Sequence, residues 1–134
     1  PPQPLKEVGY GAIHWLMKPS NEPLLMGLQP SELVLHWHID RIKLPQTATL
    51  LGSSLQCPEQ VFRIANHAIG LQCHMELTTR NLEQWIREDH NYIVSAMGPD
   101  GPERLRQDGE RFGDLLERQG RRFISNALAF LTTQ

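Results

Sequence analysis

Gly70-Leu71-Gln72-Cys73-His74-Met75-Glu76-Leu77-Thr78-Thr79 is the stretch on which the reading of this 134-residue chain turns. It opens as a short apolar run, carries a His-x-Glu pair, and gives way near Thr79 to a helical pattern. In an extended strand residues two apart share a face, so the spacing predicts that His74 and Glu76 project together. An imidazole beside a carboxylate is a general base with a built-in orienter, two of the three groups in a nucleophile–His–acid arrangement. The third group, a nucleophile, is not in the stretch. Spacing alone also fits a His and a Glu that simply face solvent at a strand end.

Upstream, the chain reads as strands and loops. Pro1-Pro2-Gln3-Pro4 is an extended, linker-like start over residues 1–5. Glu7 to Met17 is rich in aromatic and aliphatic residues and reads as a strand, bulged near Gly9 and Gly11. Lys18 to Gln29, with Pro19, Pro23 and Gly27, reads as a loop around a short apolar turn at Leu24-Leu25-Met26. From Glu32 to Asp40, Leu33, Leu35, Trp37 and Ile39 alternate with Val34, His36 and His38, the period of a strand. Thr47 to Ser53 is a shorter strand. Gln60–Ala65 and Ala68–Cys73 flank Asn66-His67 as a hairpin with a two-residue turn.

Downstream the period becomes helical. Leu82, Trp85, Ile86 and Ile93 fall on one face, with Thr78 or Thr79 as N-cap. Met97-Gly98-Pro99-Asp100-Gly101-Pro102 ends that helix. A second follows, with Leu105, Phe112, Leu115, Leu116, Phe123, Ile124, Ala127 and Leu131 at helical spacing. Gly109, Gly113 and Gly120 weaken it by about 1 kcal/mol each relative to Ala, enough to allow a break. Its opposite face interleaves Arg with Asp and Glu, as a solvated face does. The expected order is strands over residues 6–76, then two helices over 78–132, in a single domain.

Composition narrows the function. A net charge of −2, with 40% hydrophobic residues, gives no electrostatic case for nucleic acid or anionic membrane. No apolar run approaches the roughly 20 residues that span a bilayer. Two cysteines in unlike surroundings do not form a disulfide framework, so a reducing cytoplasm is the expected compartment. Cys73 adjoins His74 but points to the opposite face of a strand, and Cys57 has no local group to lower its pKa; both read as structural thiols. His36, His38 and His74 on neighbouring strands form a candidate three-histidine zinc site. The competing reading of His36 and His38 is a partly exposed pair on a strand's polar face.

Several motifs in order resemble the C-terminal half of class I glutamine amidotransferase domains, closest to the guanosine-monophosphate-synthase-like subgroup. They are Lys6-Glu7-Val8-Gly9-Tyr10, His38-Ile39-Asp40, Leu44-Pro45, Cys57-Pro58-Glu59-Gln60, and Gln72-Cys73-His74-Met75-Glu76. The resemblance implies an α/β, flavodoxin-like domain, with a mixed sheet covered by helices. It implies hydrolysis of glutamine's side-chain amide by a Cys–His–Glu triad, with ammonia passed to a synthetase domain or partner. His74 matches the triad base and Glu76 the triad acid, while Trp37, His38, Ile39 and Asp40 match the segment lining the glutamine pocket. No metal or organic cofactor is needed for that hydrolysis.

The family's glycine-rich cysteine elbow does not occur in these residues. The expectation is therefore a half-site whose nucleophile comes from a missing N-terminal half or a companion chain, with self-association through exposed edges. Ile39 stands where glycine is usual, and Cys73 and Met75 replace the common Phe and Pro. These departures also fit a catalytically inactive interaction module on the same scaffold. A zinc-dependent hydrolase using His36, His38 and His74 is the third reading.

Overall fold

In a computed structural model, which describes residues 6–132, the chain folds as five strands followed by three helices. The expected linker at residues 1–5 lies outside the described residues. The strands are β1 (Glu7–Trp15), β2 (Ser31–His38), β3 (Ala48–Ser53), β4 (Val61–Ile64) and β5 (Ala68–Leu71). The helices are α1 (Thr79–Glu88), α2 (His90–Met97) and α3 (Gly101–Thr132). The sheet order is β2-β1-β3-β4-β5, and every pairing among these strands is antiparallel. This is the α/β architecture expected from the sequence. No helix among the described residues is long and apolar enough to cross a membrane.

The pairing of β1 with β2 sets the two faces. Glu7 lies opposite His38, Gly9 opposite His36 and Tyr10 opposite Leu35, without interruption to His14 and Ser31. Opposed residues share a face. One face therefore carries Ile13, Trp15 and Val34, which join Leu51, Val61 and Phe123 in one core cluster. The other carries Leu35, which joins Leu82, Ile86, Ile93, Leu105 and Leu116 in a second. Ile86, Ile93 and Leu105 are fully buried, and each such side chain stabilises the fold by about 1.5–3 kcal/mol. Both faces of β2 are covered, which is why its alternation joins two apolar sets.

Three local expectations are corrected. The register along β1 is continuous, so Gly9 and Gly11 mark no bulge; the irregularity falls in β3, between Leu50 and Gly52. The hairpin turn has three residues, because Ile64 pairs with Ala68 and Ala65 takes a φ of 47°. The first helical segment divides at Asp89, which leaves helical geometry with φ −110° and ψ 24°. Asp89, His90 and Asn91 are all weak helix formers, and the Trp37 indole N–H donates to Asp89 Oδ2 at 2.9 Å.

The second segment does not break. α3 runs 32 residues, about 48 Å at 1.5 Å per residue. Its inward line is Leu105, Gly109, Gly113, Leu116, Gly120 and Phe123. The three glycines are the sites of closest approach. A Cβ would stand 2.4 Å from the Leu82 side chain at Gly109, 2.0 Å from that of Thr79 at Gly113, and 1.9 Å from the Met75 carbonyl oxygen at Gly120. What reads as helix weakness in sequence is helix packing in the fold. Ile124, Leu128 and Leu131 lie off that inward line and stay partly exposed.

Candidate functional site

Residues 72–77 leave the sheet as irregular backbone, but His74 stays tied to β2. Its N–H donates to the Leu35 carbonyl at 2.8 Å, and Leu35 N–H donates back at 3.2 Å. Cys73 and Met75 are buried in one core cluster, and Leu77 in the other. Anchoring on alternate sides of the chain leaves His74 and Glu76 to project outward. Gly120 of α3 presses on the backbone between them.

His74 Nδ1 and Glu76 Oε1 are 2.7 Å apart, and the Met75 N–H donates to Glu76 Oε2 at 3.0 Å. Burial pushes the Glu76 carboxyl up, but the hydrogen bonds from His74 and the backbone outweigh it and hold the group below its ordinary range. A carboxylate on Nδ1 fixes the ring orientation and leaves Nε2 turned away from Glu76. The ring packs edge-on against Trp85, centroids 5.0 Å apart, and Trp85 packs in the same way against Trp37 at 5.4 Å. Beside the pair a groove of about 460 Å³ runs between β5 and α3, lined by Ile69, Leu71, Phe123, Ile124 and Leu128.

The segment Trp37–Asp40 lies next to this site and is linked to it. Trp37 reaches His74 through Trp85. Gln72, two residues before His74, donates its amide to the Asp40 carbonyl and approaches His38 Nδ1 at 3.3 Å. His38 Nδ1 is also 3.1 Å from the Asp40 carbonyl. Ile39 and Asp40 are exposed, with Ile39 at 38%.

A second polar cluster sits on the opposite face of β1 and β2. His38 Nε2 meets Glu7 Oε1 at 2.8 Å, and His36 Nδ1 is 3.4 Å from the same oxygen. The buried Gln60 amide donates to Glu7 Oε1 at 2.9 Å, and the Ser54 hydroxyl to Oε2 at 3.1 Å. Burial pushes the Glu7 carboxyl up; the His38 hydrogen bond, the His36 charge and Ser54 together bring it below its ordinary value. Burial pulls the His36 imidazole down, against the opposing pull of Glu7.

This geometry corrects the three-histidine zinc site. Leu35 pairs with His74, so His74 lies on the Leu35–Trp37 face, while His36 and His38 face the other side with Glu7. Among the described residues, the group with metal-ligand spacing is Glu7, His36 and His38, without His74. Glu7, Gln60, Gln72 and Trp85 are the residues that spacing does not single out. Glu7, Gln60 and Gln72 lie in quoted motifs, yet their partners come from other strands, and cross-strand register is not visible in local spacing.

Neither cysteine is placed as a ready nucleophile. Burial pushes the Cys73 thiol up to about 12, and it pushes the Cys57 thiol up as well. Both are free and buried.

No protein-family model matches the sequence. The chain is 34% identical over 95 residues to the glutamine amidotransferase-like protein YfeJ of Salmonella typhimurium, covering 71% of this chain and 40% of that protein. It superposes on a glutamine amidotransferase of Thermotoga maritima with a TM-score of 0.77 and 24% identity, over 93% of this chain and 52% of that one. It also superposes on a glutamine amidotransferase of Methylobacillus flagellatus, with a TM-score of 0.78 and 18% identity, over 97% and 55%. A third match in fold is a GMP synthase component of Thermoplasma acidophilum, with a TM-score of 0.60 and 18% identity, over 98% and 47%. The chain thus spans 40% of the curated relative's length, and about half of each solved structure. In fold, and in the sequence shared with its curated relative, the chain is glutamine amidotransferase-like over the part of those proteins that it spans.

Proposed function

We propose that His74 and Glu76 are the base and the acid of a Cys–His–Glu triad that hydrolyses the side-chain amide of glutamine. The observation that carries this reading is the 2.7 Å contact of His74 Nδ1 with Glu76 Oε1, which leaves Nε2 free to face a nucleophile. His74 takes the proton of the thiol as it attacks the amide carbonyl, and returns it to departing ammonia. Glu76 holds the ring and stabilises the imidazolium. Water then releases glutamate from the thioester by the same base.

The attacking cysteine comes from a segment outside these 134 residues. Cys73 and Cys57 are buried thiols with raised pKa values, and the glycine-rich elbow is found nowhere in the sequence. The apolar groove beside His74 is the surface on which that segment docks. Trp37, His38, Ile39 and Asp40 line the glutamine pocket largely through backbone groups, and the Gln72 amide, donating to the Asp40 carbonyl, fixes that backbone. Ammonia passes to a synthetase domain or partner, a reading supported by the likeness in fold to the Thermoplasma GMP synthase component. The reaction proceeds in a reducing cytoplasm, where free Cys57 and Cys73 persist.

The test is ammonia release from glutamine by the polypeptide or complex that contains the cysteine elbow, compared with the 134-residue chain alone. Release by the first and none by the second is expected. Turnover by the short chain alone refutes the half-site reading, and an intact upstream region with no cysteine elbow leaves the inactive scaffold module in its place.

A further inference from the structure

We propose that Glu7, His36 and His38 form a binding site for a divalent transition-metal ion of borderline softness, with zinc as the representative. One ligand atom from each lies within 4.8 Å of the others. The carboxylate oxygen is 2.8 Å from His38 Nε2 and 3.4 Å from His36 Nδ1. Ligands at about 2.0–2.1 Å around a tetrahedral zinc stand about 3.3 Å apart, so the observed edges bracket that spacing. Two imidazoles and a carboxylate make a donor set suited to zinc and its neighbours, and not to magnesium or calcium.

Two independent observations point to a ligand. First, His36 is 3% exposed, and its Nδ1 is a buried nitrogen with no hydrogen-bond partner, aimed at Glu7. A buried imidazole nitrogen set 3.4 Å from a carboxylate without a hydrogen bond is a costly arrangement that a cation between the two would satisfy. Second, the outer contacts are those of a metal site. His38 Nδ1 has the Asp40 carbonyl at 3.1 Å. Glu7 is held by the Gln60 amide and the Ser54 hydroxyl. Ligating histidines commonly give their second N–H to a carbonyl, and ligating carboxylates are themselves hydrogen-bonded.

The site also has an entrance. A cavity of about 370 Å³ opens over Glu7 and His36, lined besides by Gly9, Gly11 and Ser54. Three protein ligands leave one coordination position for water on that side. The ion replaces the proton shared by His38 and Glu7 and ties β1 to the end of β2, on the face away from His74.

The test is titration of the full chain with Co²⁺ and then Zn²⁺, read by the visible spectrum of bound Co²⁺ and by calorimetry. We expect one Co²⁺ per chain with the intense bands of low-coordinate cobalt, displaced by Zn²⁺. Glu7→Gln or His38→Gln should weaken binding at least about tenfold, and His74→Ala should leave it intact. Zn²⁺-induced shifts of the His36 and His38 ring resonances in the unaltered protein, with His14, His67 and His90 unmoved, need no variant to fold. Failure to bind either ion, shifts confined to surface histidines, or equal binding by Glu7→Gln would overturn the site and leave a hydrogen-bonded cluster.

Discussion

Gly120→Ala puts the packing of α3 against the candidate site to the test. The new methyl would stand 1.9 Å from the Met75 carbonyl oxygen and 3.0 Å from its carbonyl carbon. Ordinary contact begins near 3.4 Å, so helix and loop must separate by about 1.5 Å. Replacing a helical glycine by alanine contributes about 1 kcal/mol through helix propensity. Overpacking costs about 1–3 kcal/mol, and occasionally more. Here the obstacle is a backbone atom that cannot rotate aside, so the cost belongs at or beyond the upper end. The net loss is then about 2 kcal/mol, or a fall of roughly 6–10 °C in Tm for a chain of this size. Urea denaturation of the native chain, Gly120→Ala and Ser125→Ala compares the clash with an exposed position on the same helix. Ser125→Ala should be neutral or slightly stabilising. Gly120→Ala as stable as the native chain, or more so, refutes the close approach. Because Met75 lies between His74 and Glu76, the His74 ring resonances should shift in Gly120→Ala and not in Ser125→Ala.

Three other outcomes follow from the same geometry. Cys73, with its thiol pushed up to about 12, should react with iodoacetamide at least about a hundredfold more slowly than a free thiol until the protein is unfolded. The Glu7 carboxyl lies below its ordinary 4.5 in the folded state, so its contribution to stability is present above that value and is lost as pH falls through the lowered one. Urea midpoints measured between pH 7 and about pH 3 should therefore fall less steeply for Glu7→Gln than for the native chain. Glu76 has the same sign, and Glu76→Gln should likewise flatten the acid limb.

Much of the fold was legible because its signals are periodic and local. The alternation through Leu33 to His38 and the 3.6-residue period after Thr79 name their elements directly. Thr78 caps α1 by accepting from the Asn81 N–H at 3.4 Å, as its position suggests. What escaped reading depends on contacts between elements. Gly109, Gly113 and Gly120 look like helix breakers until Leu82, Thr79 and Met75 are set against them. Asp89 interrupts a helix partly because Trp37, far away in sequence, donates to it. The same holds at the candidate site. His74 and Glu76 are two residues apart, so their meeting could be anticipated from spacing, whereas Glu7 and His36 meet only through the β1–β2 register. The three-histidine grouping erred for that reason: a strand's two faces are legible, but which neighbour lies on each is not.

The central claim is that His74, oriented by Glu76, is the base of a glutamine-hydrolysing triad. Its most direct measurement is kcat for ammonia release by the cysteine-bearing polypeptide or complex, for the native protein, His74→Ala and Glu76→Gln side by side. The account predicts that His74→Ala lowers kcat by about 10²–10⁴-fold, and Glu76→Gln by less, with both proteins folded. Unchanged turnover by His74→Ala would contradict it.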